Sequence, residues 1–250
     1  VLLEKRLGLK TAKYTREGVN IADMKIMAEH YLGTTKTMPK TIVLGLDPWI
    51  FTGEGLSLNS WQLFLPFMDS PFVKEYVKSS VPREFDYLRY KFIKSSRYNA
   101  LLLNASIRGW LNNWNNLKYG VVDTVRFNNE QILKSFRRII NNRELEDNFS
   151  SALDFLAGEN LSVILLITPV WQPILNTQKQ EYDRTMYLID SLVKKHCPSA
   201  LIVDLTSKFK DRTELFFDPI HMNPEGQRIV TGYFSKVLDS LRLGKHEKKF

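Results

Sequence analysis

The sequence holds a single cysteine, Cys197, which excludes an intrachain disulfide and, with no ligand-spaced neighbours, a cysteine-based metal site. Its four histidines show no zinc spacing, and the chain has no glycine-rich phosphate loop. No metal or cofactor is therefore expected. No apolar run approaches the roughly 20 residues that cross a membrane, and no repeat, low-complexity tract or linker divides the chain. Acidic residues are in deficit: Lys plus Arg number 35 against 27 Asp plus Glu, a net charge of +8. No acid at all occurs from Lys91 to Gly120, a stretch with Lys91, Lys94, Arg97, Arg108 and Lys118. Such a balance suits an anionic polymer or lipid head groups, although a solvated face explains it as well. Nucleic-acid binding ranks lowest, because no nucleic-acid motif accompanies the charge. The chain also lacks an initiator Met and starts in an apolar pattern, Val1-Leu2-Leu3-Glu4-Lys5-Arg6-Leu7. We read it as N-terminally incomplete, with any signal peptide or membrane anchor upstream of Val1 and the compartment open.

What is present suits one α/β domain spanning 1–250. Val1 to Leu9 has helical spacing closed by Gly8, Lys13 to Arg16 suits a strand, and Ile21, Met24, Met27, Ala28 and Tyr31 mark a helix. Thr41–Asp47 and Leu161–Ile167 are nearly continuous apolar runs, expected as buried parallel strands, and Leu201–Leu205 is a third. Leu145–Ala157, Glu181–Lys195 and Gln227–Leu241 have amphipathic helical patterns between and after them. Strands alternating with helices predict three layers around a central parallel sheet. From about 52 to 144 this rhythm breaks. Tyr98–Trp114 reads as a helix with Leu102, Ala105, Ile107 and Trp110 inward, and Gln131–Ile140 as another with Ile132, Phe136, Ile139 and Ile140 inward. So long a connection is expected to be an insertion over the active-site end.

Chemistry concentrates in Phe216-Phe217-Asp218-Pro219-Ile220-His221-Met222-Asn223-Pro224-Glu225-Gly226. Asn223-Pro224 reads as the N-cap and first residue of a helix. Asp218 lies three positions before His221, which lets the carboxylate fix the imidazole tautomer and stabilise the imidazolium. A surface turn before an ordinary capped helix is the plainer account of the same letters.

Asp218-x-x-His221 followed by Asn223, Pro224 and Gly226 resembles the last motif block of the SGNH (GDSL-like) hydrolase superfamily. The similarity is greatest to its envelope-associated branch, that of the D-alanyl transfer protein and alginate O-acetyltransferase-type domains. The resemblance implies a flavodoxin-like fold and a Ser-His-Asp triad with His221 as base and Asp218 as its partner. It implies oxyanion donors at Gly18 and at the strand-end position held by Asp47, where the family has Asn. A carboxylate there donates only when protonated. On the same likeness Asn20 falls where a small polar residue usually lies; Asn20, Trp49 and Pro169 are candidate substrate contacts, and the chain's tryptophans suit sugar stacking, although core packing is the commoner use. The serine-bearing first strand would lie before Val1, since Ser57, Ser60, Ser70, Ser95 and Ser96 follow no strand pattern. Ester hydrolysis or O-acyl transfer on an acylated small molecule or envelope carbohydrate is the implied activity, in an extracytoplasmic or periplasmic setting. A non-catalytic module of the same fold, binding an anionic glycan or partner protein, is the alternative.

Overall fold

Ser162–Ile167 forms the middle strand of a three-stranded parallel sheet, sending Val163, Leu165 and Ile167 into one core and Ile164 and Leu166 into another. A strand covered on both faces has no polar side, which is why this run is apolar almost throughout. The computed structural model describes residues 2–14, 19–53, 60–111 and 117–246. β1 (Thr41–Leu46) pairs with β2 (Ser162–Ile167) from Thr41↔Ser162 to Leu46↔Ile167. β3 (Leu201–Asp204) takes the other side of β2, from Ile164↔Leu201 to Ile167↔Asp204.

Helices cover both faces. α1 (Leu2–Leu7) and α10 (Pro224–His246) pack together beside Ile164 through Leu3, Val230 and Phe234. Gly8 ends α1 at φ 61, a left-handed conformation that glycine adopts without a Cβ penalty. On the opposite face lie α2 (Ile21–Thr34), α7 (Arg143–Gly158) and α9 (Lys179–His196), contributing Ile21, Leu32, Phe149, Leu153, Ile189 and Val193. Burying side chains such as Phe149 and Leu153, both 0% exposed, contributes about 1.5–3 kcal/mol each. The chain is thus a mixed α/β protein with a parallel sheet between two helical layers.

Three expectations need correction. Lys13 and Tyr14 are irregular rather than part of a strand, and the rest of the Lys13–Arg16 segment lies outside the described residues. β1, apolar enough for a buried strand, stands at the sheet edge with Val43 38% exposed, because among the described residues nothing pairs with its outer side.

The insertion also divides. A short 3-10 helix (Ser60–Phe67), α3 (Pro71–Ser80), α4 (Glu84–Phe92) and α5 (Ala100–Trp110) enclose a small core of their own, with Leu65, Val73 and Val77 at its centre. This part leans on α2 through Ile26 and Met27 instead of covering the end of the sheet. Asn99 starts α5 by accepting the Leu102 N–H (3.0 Å), but of the expected inward side only Leu102 is buried, with Ile107 and Trp110 55% and 85% exposed. Residues 117–142 return to the main core through Val122, Phe127, Leu133 and Ile139. α6 (Glu130–Phe136) buries Leu133 and leaves Ile132 and Phe136 exposed, one residue off the expected stripe, and Ile140 is exposed beyond it. After β2, α8 (Gln172–Asn176) leads into α9.

Candidate active site

Phe216, fully buried, and Met222 form an antiparallel bridge, and the chain between them is a closed loop in which the Phe217 N–H donates to the His221 carbonyl (2.8 Å). Asp218 organises this loop from within. Its Oδ1 accepts the backbone N–H groups of Ile220 (2.9 Å) and His221 (2.7 Å), and its Oδ2 lies 2.8 Å from His221 Nδ1. With Nδ1 donating to the carboxylate, the lone pair sits on Nε2, which meets no hydrogen-bonding partner among the described residues. The His221 side chain is 42% exposed, so that nitrogen is accessible. Burial alone would push the Asp218 carboxyl up, but the His221 side chain and the two backbone donors outweigh it and hold the group below the usual carboxylate range.

The loop is pinned from three directions. Trp171 N–H donates to the Pro219 carbonyl (3.1 Å), tying the loop to the segment after β2, at the C-terminal end of the parallel strands. The Val122 N–H donates to the Phe216 carbonyl (2.7 Å). Asn223 is the N-cap expected for α10, with Oδ1 accepting the Gly226 N–H (2.9 Å), while its Nδ2 donates to the carbonyls of Gly120 (2.9 Å) and Glu214 (2.7 Å). One buried asparagine therefore joins the helix start, the loop and the end of the insertion.

Asp47 follows β1 directly, at the same end of the sheet, and its Oδ1 accepts the Trp49 N–H (2.8 Å). Burial pushes its carboxyl up, while the positive charge of Arg137, the Trp49 N–H and His221 each draw it partly back. The folded state thus holds the Asp47 proton more tightly than the unfolded chain does, so ionising it costs stability. That cost is absent below the unfolded carboxyl value of about 4 and grows as pH rises through the folded value. Asp47→Asn is expected to raise the melting temperature at neutral pH, with the gain closing toward about pH 4. Equal melting curves across that range would show that Asp47 is not penalised by burial.

The remaining expected positions separate. Gly18 lies outside the described residues. Asn20 is the N-cap of α2, its Oδ1 accepting the Asp23 N–H (2.9 Å) while Asp23 Oδ2 accepts the Asn20 N–H (3.2 Å), so its side-chain oxygen is committed to the helix start. Trp49 is 1% exposed in the core with the Arg137 guanidinium 5.2 Å from its ring centre, which leaves no face open to a sugar. Pro169 is buried behind β2, Trp61 and Trp171 are buried, and Trp114 is outside the described residues. Two cations at the site had no local sequence signal. Lys118 Nζ lies 3.5 Å from His221 Nδ1 although the two are 103 positions apart in the chain, and Arg137 borders the same cleft as Asp47 and His221.

That cleft, about 2160 Å³, runs along the open edge of β1 from Lys10–Tyr14 on one wall to Asp47 and His221 at its end. No backbone hydrogen bond joins Lys10–Tyr14 to β1, and Thr11 Oγ1 is buried there without a partner among the described residues. Of the three serines lining the cleft, Ser162 starts β2, Ser135 donates to the Ile132 carbonyl (2.9 Å) and Ser199 faces Cys197 Sγ at 4.0 Å. Among the described residues no group of His, Cys, Asp and Glu side chains is arranged to hold a metal ion. No protein-family model matches the chain, and no curated protein matches it.

Proposed function

We propose that the chain is an SGNH-type α/β domain whose Asp218–His221 pair serves a serine in ester hydrolysis or O-acyl transfer. The observation that carries this reading is the geometry of His221: Nδ1 held by a carboxylate at 2.8 Å and Nε2 unengaged among the described residues, on a side chain 42% exposed at the C-terminal end of a parallel sheet. In the reaction, Nε2 takes the serine proton as the oxygen attacks the acyl carbon and returns it to the departing alcohol. Asp218 keeps the ring in the required tautomer and stabilises the imidazolium. The serine itself is assigned to an additional strand lying along β1, whose unpaired edge and long cleft have room for one. The acyl group would sit on a small molecule or an envelope carbohydrate, as the motif resemblance suggests, and the chemistry requires no cofactor.

A second reading, a non-catalytic module that binds an anionic glycan, is favoured by Asp47, a carboxylate where an oxyanion needs a donor. A serine-reactive fluorophosphonate probe separates the two. A protein that includes the strand proposed along β1 is expected to be labelled at one serine, dependent on His221, while residues 1–250 alone are not labelled. Absence of labelling with that strand present would favour the binding module, and stoichiometric labelling within 1–250 would place the nucleophile inside this sequence. Asp47→Asn adds a finer prediction: if Asp47 borders the oxyanion as a carboxylate, the replacement raises turnover, since one well-placed donor there is worth roughly 3–4 kcal/mol. A fall in rate would give Asp47 another role.

A further inference from the structure

We propose that the outer face of α4 and α5 is a docking surface for an anionic lipid bilayer. Each helix buries one residue in the small core of the insertion, Tyr87 on α4 and Leu102 on α5, and each carries a stripe of large apolar side chains on its other side. On α4 the stripe is Phe85, Leu88 and Phe92, spaced three and four apart, with exposures of 73%, 41% and 74%. On α5 it is Leu103, Ile107 and Trp110, spaced four and three apart, at 54%, 55% and 85%. Side chains of this size at helical spacing are normally placed against something, and scattered single exposures do not produce two such stripes on consecutive helices.

The two helices are held as a unit. Arg97, in the turn between them, is 3% exposed and donates from Nη1 and Nη2 to the Asp69 carboxylate (2.6 and 2.9 Å) and from Nε to the Tyr90 carbonyl (2.7 Å). At the start of α5 Asn99 Nδ2 donates to Gln62 Oε1 (2.6 Å), so α4 and α5 are each anchored to the segment 60–69.

Charge chooses the occupant. Lys91 stands beside the α4 stripe, Lys94 follows it with Nζ 3.9 Å from the Asp69 carboxylate, and Arg108 is on α5; α4 also carries Glu84 and Asp86, but residues 60–111 together hold eight Lys and Arg against four Asp and Glu. Aromatic and aliphatic side chains interleaved with cations, on helices of only nine and eleven residues, match the interface between lipid head groups and acyl chains. Neither helix is long and apolar enough to span, as holds for every helix among the described residues, so the face lies on the bilayer. A protein partner would favour fewer lysines at the centre of its contact, and a nucleic acid would gain little from exposed Phe and Ile.

Sedimentation of the 250-residue chain with vesicles of phosphatidylcholine, with and without phosphatidylglycerol, tests this directly. The chain is expected to sediment with the anionic vesicles, weakly with the neutral ones, and less as salt is added. The double variants Phe92→Ser/Trp110→Ser and Lys91→Glu/Lys94→Glu should each lower partitioning by roughly tenfold or more. Because these side chains are exposed, both variants should keep the parent melting temperature. Failure to sediment, or equal partitioning of both variants, overturns the proposal. A dimer dissolved by the aromatic replacements, without vesicle binding, assigns the face to a second copy and also overturns it. So does oligonucleotide binding lost in the lysine variant, without vesicle binding.

Discussion

His221→Ala is expected to lower serine-dependent turnover of an activated ester by about 10³- to 10⁴-fold with the fold unchanged. The side chain is 42% exposed and its removal leaves the loop's backbone bonds in place, because Asp218 still accepts the Ile220 and His221 N–H groups. Asp218→Asn should cost as much as about 10⁴-fold, for a different reason. An asparagine Oδ1 still accepts the two backbone donors, but its NH₂ then faces His221 Nδ1, which must become an acceptor and move the ring proton to Nε2. The base is thereby blocked without being removed. Steady-state rates with circular dichroism as the fold control provide the measurement, and near-normal activity in His221→Ala would remove the triad from consideration.

Gly226→Ala should be the most damaging one-methyl change near the site. A Cβ built at Gly226 falls 2.2 Å from the Leu215 carbonyl oxygen and 3.1 Å from Leu215 C and Cβ. That carbonyl cannot retreat easily, because it accepts the Asn223 N–H (3.0 Å) and Leu215 is 1% exposed in the main core. The first turn of α10 must move instead, and it carries Asn223 and the loop holding His221 with it. Overpacking of this kind costs about 3 kcal/mol or more, a drop of roughly 6–12 °C in melting temperature for a chain of this size. Gly158→Ala is the control, since a Cβ at the end of α7 meets nothing within 4 Å. It should be neutral or slightly stabilising, by less than about 1 kcal/mol. Equal melting temperatures for the two variants would show that the close approach at Gly226 is relieved without displacing the helix.

The sequence by itself determined the features that short stretches encode. The apolar run of β2, the periodicity of α7, α9 and α10, the Asn223 cap and the Asp218-x-x-His221 loop each depend on residues a few positions apart, and all formed where their spacing required. Distant partners decided the rest. Periodicity shows that a helix has an apolar stripe but not what covers it, so Ile107 and Trp110 have helical spacing and yet are exposed. An apolar strand has the same composition at an edge as at a centre, and only pairing told β1 from β2. The same holds for Trp49, an exposed stacking ring by position and a buried one by packing, and for Gly226, whose need for a missing Cβ arises from a carbonyl eleven residues earlier. Lys118 reaches His221 across 103 residues, through a chain path set by the packing of Val122 and the hydrogen bonds at Gly120 and Phe216. Local chemistry is written in local sequence, whereas burial, edge position and the company a side chain such as His221 keeps are properties of surfaces brought together only by folding.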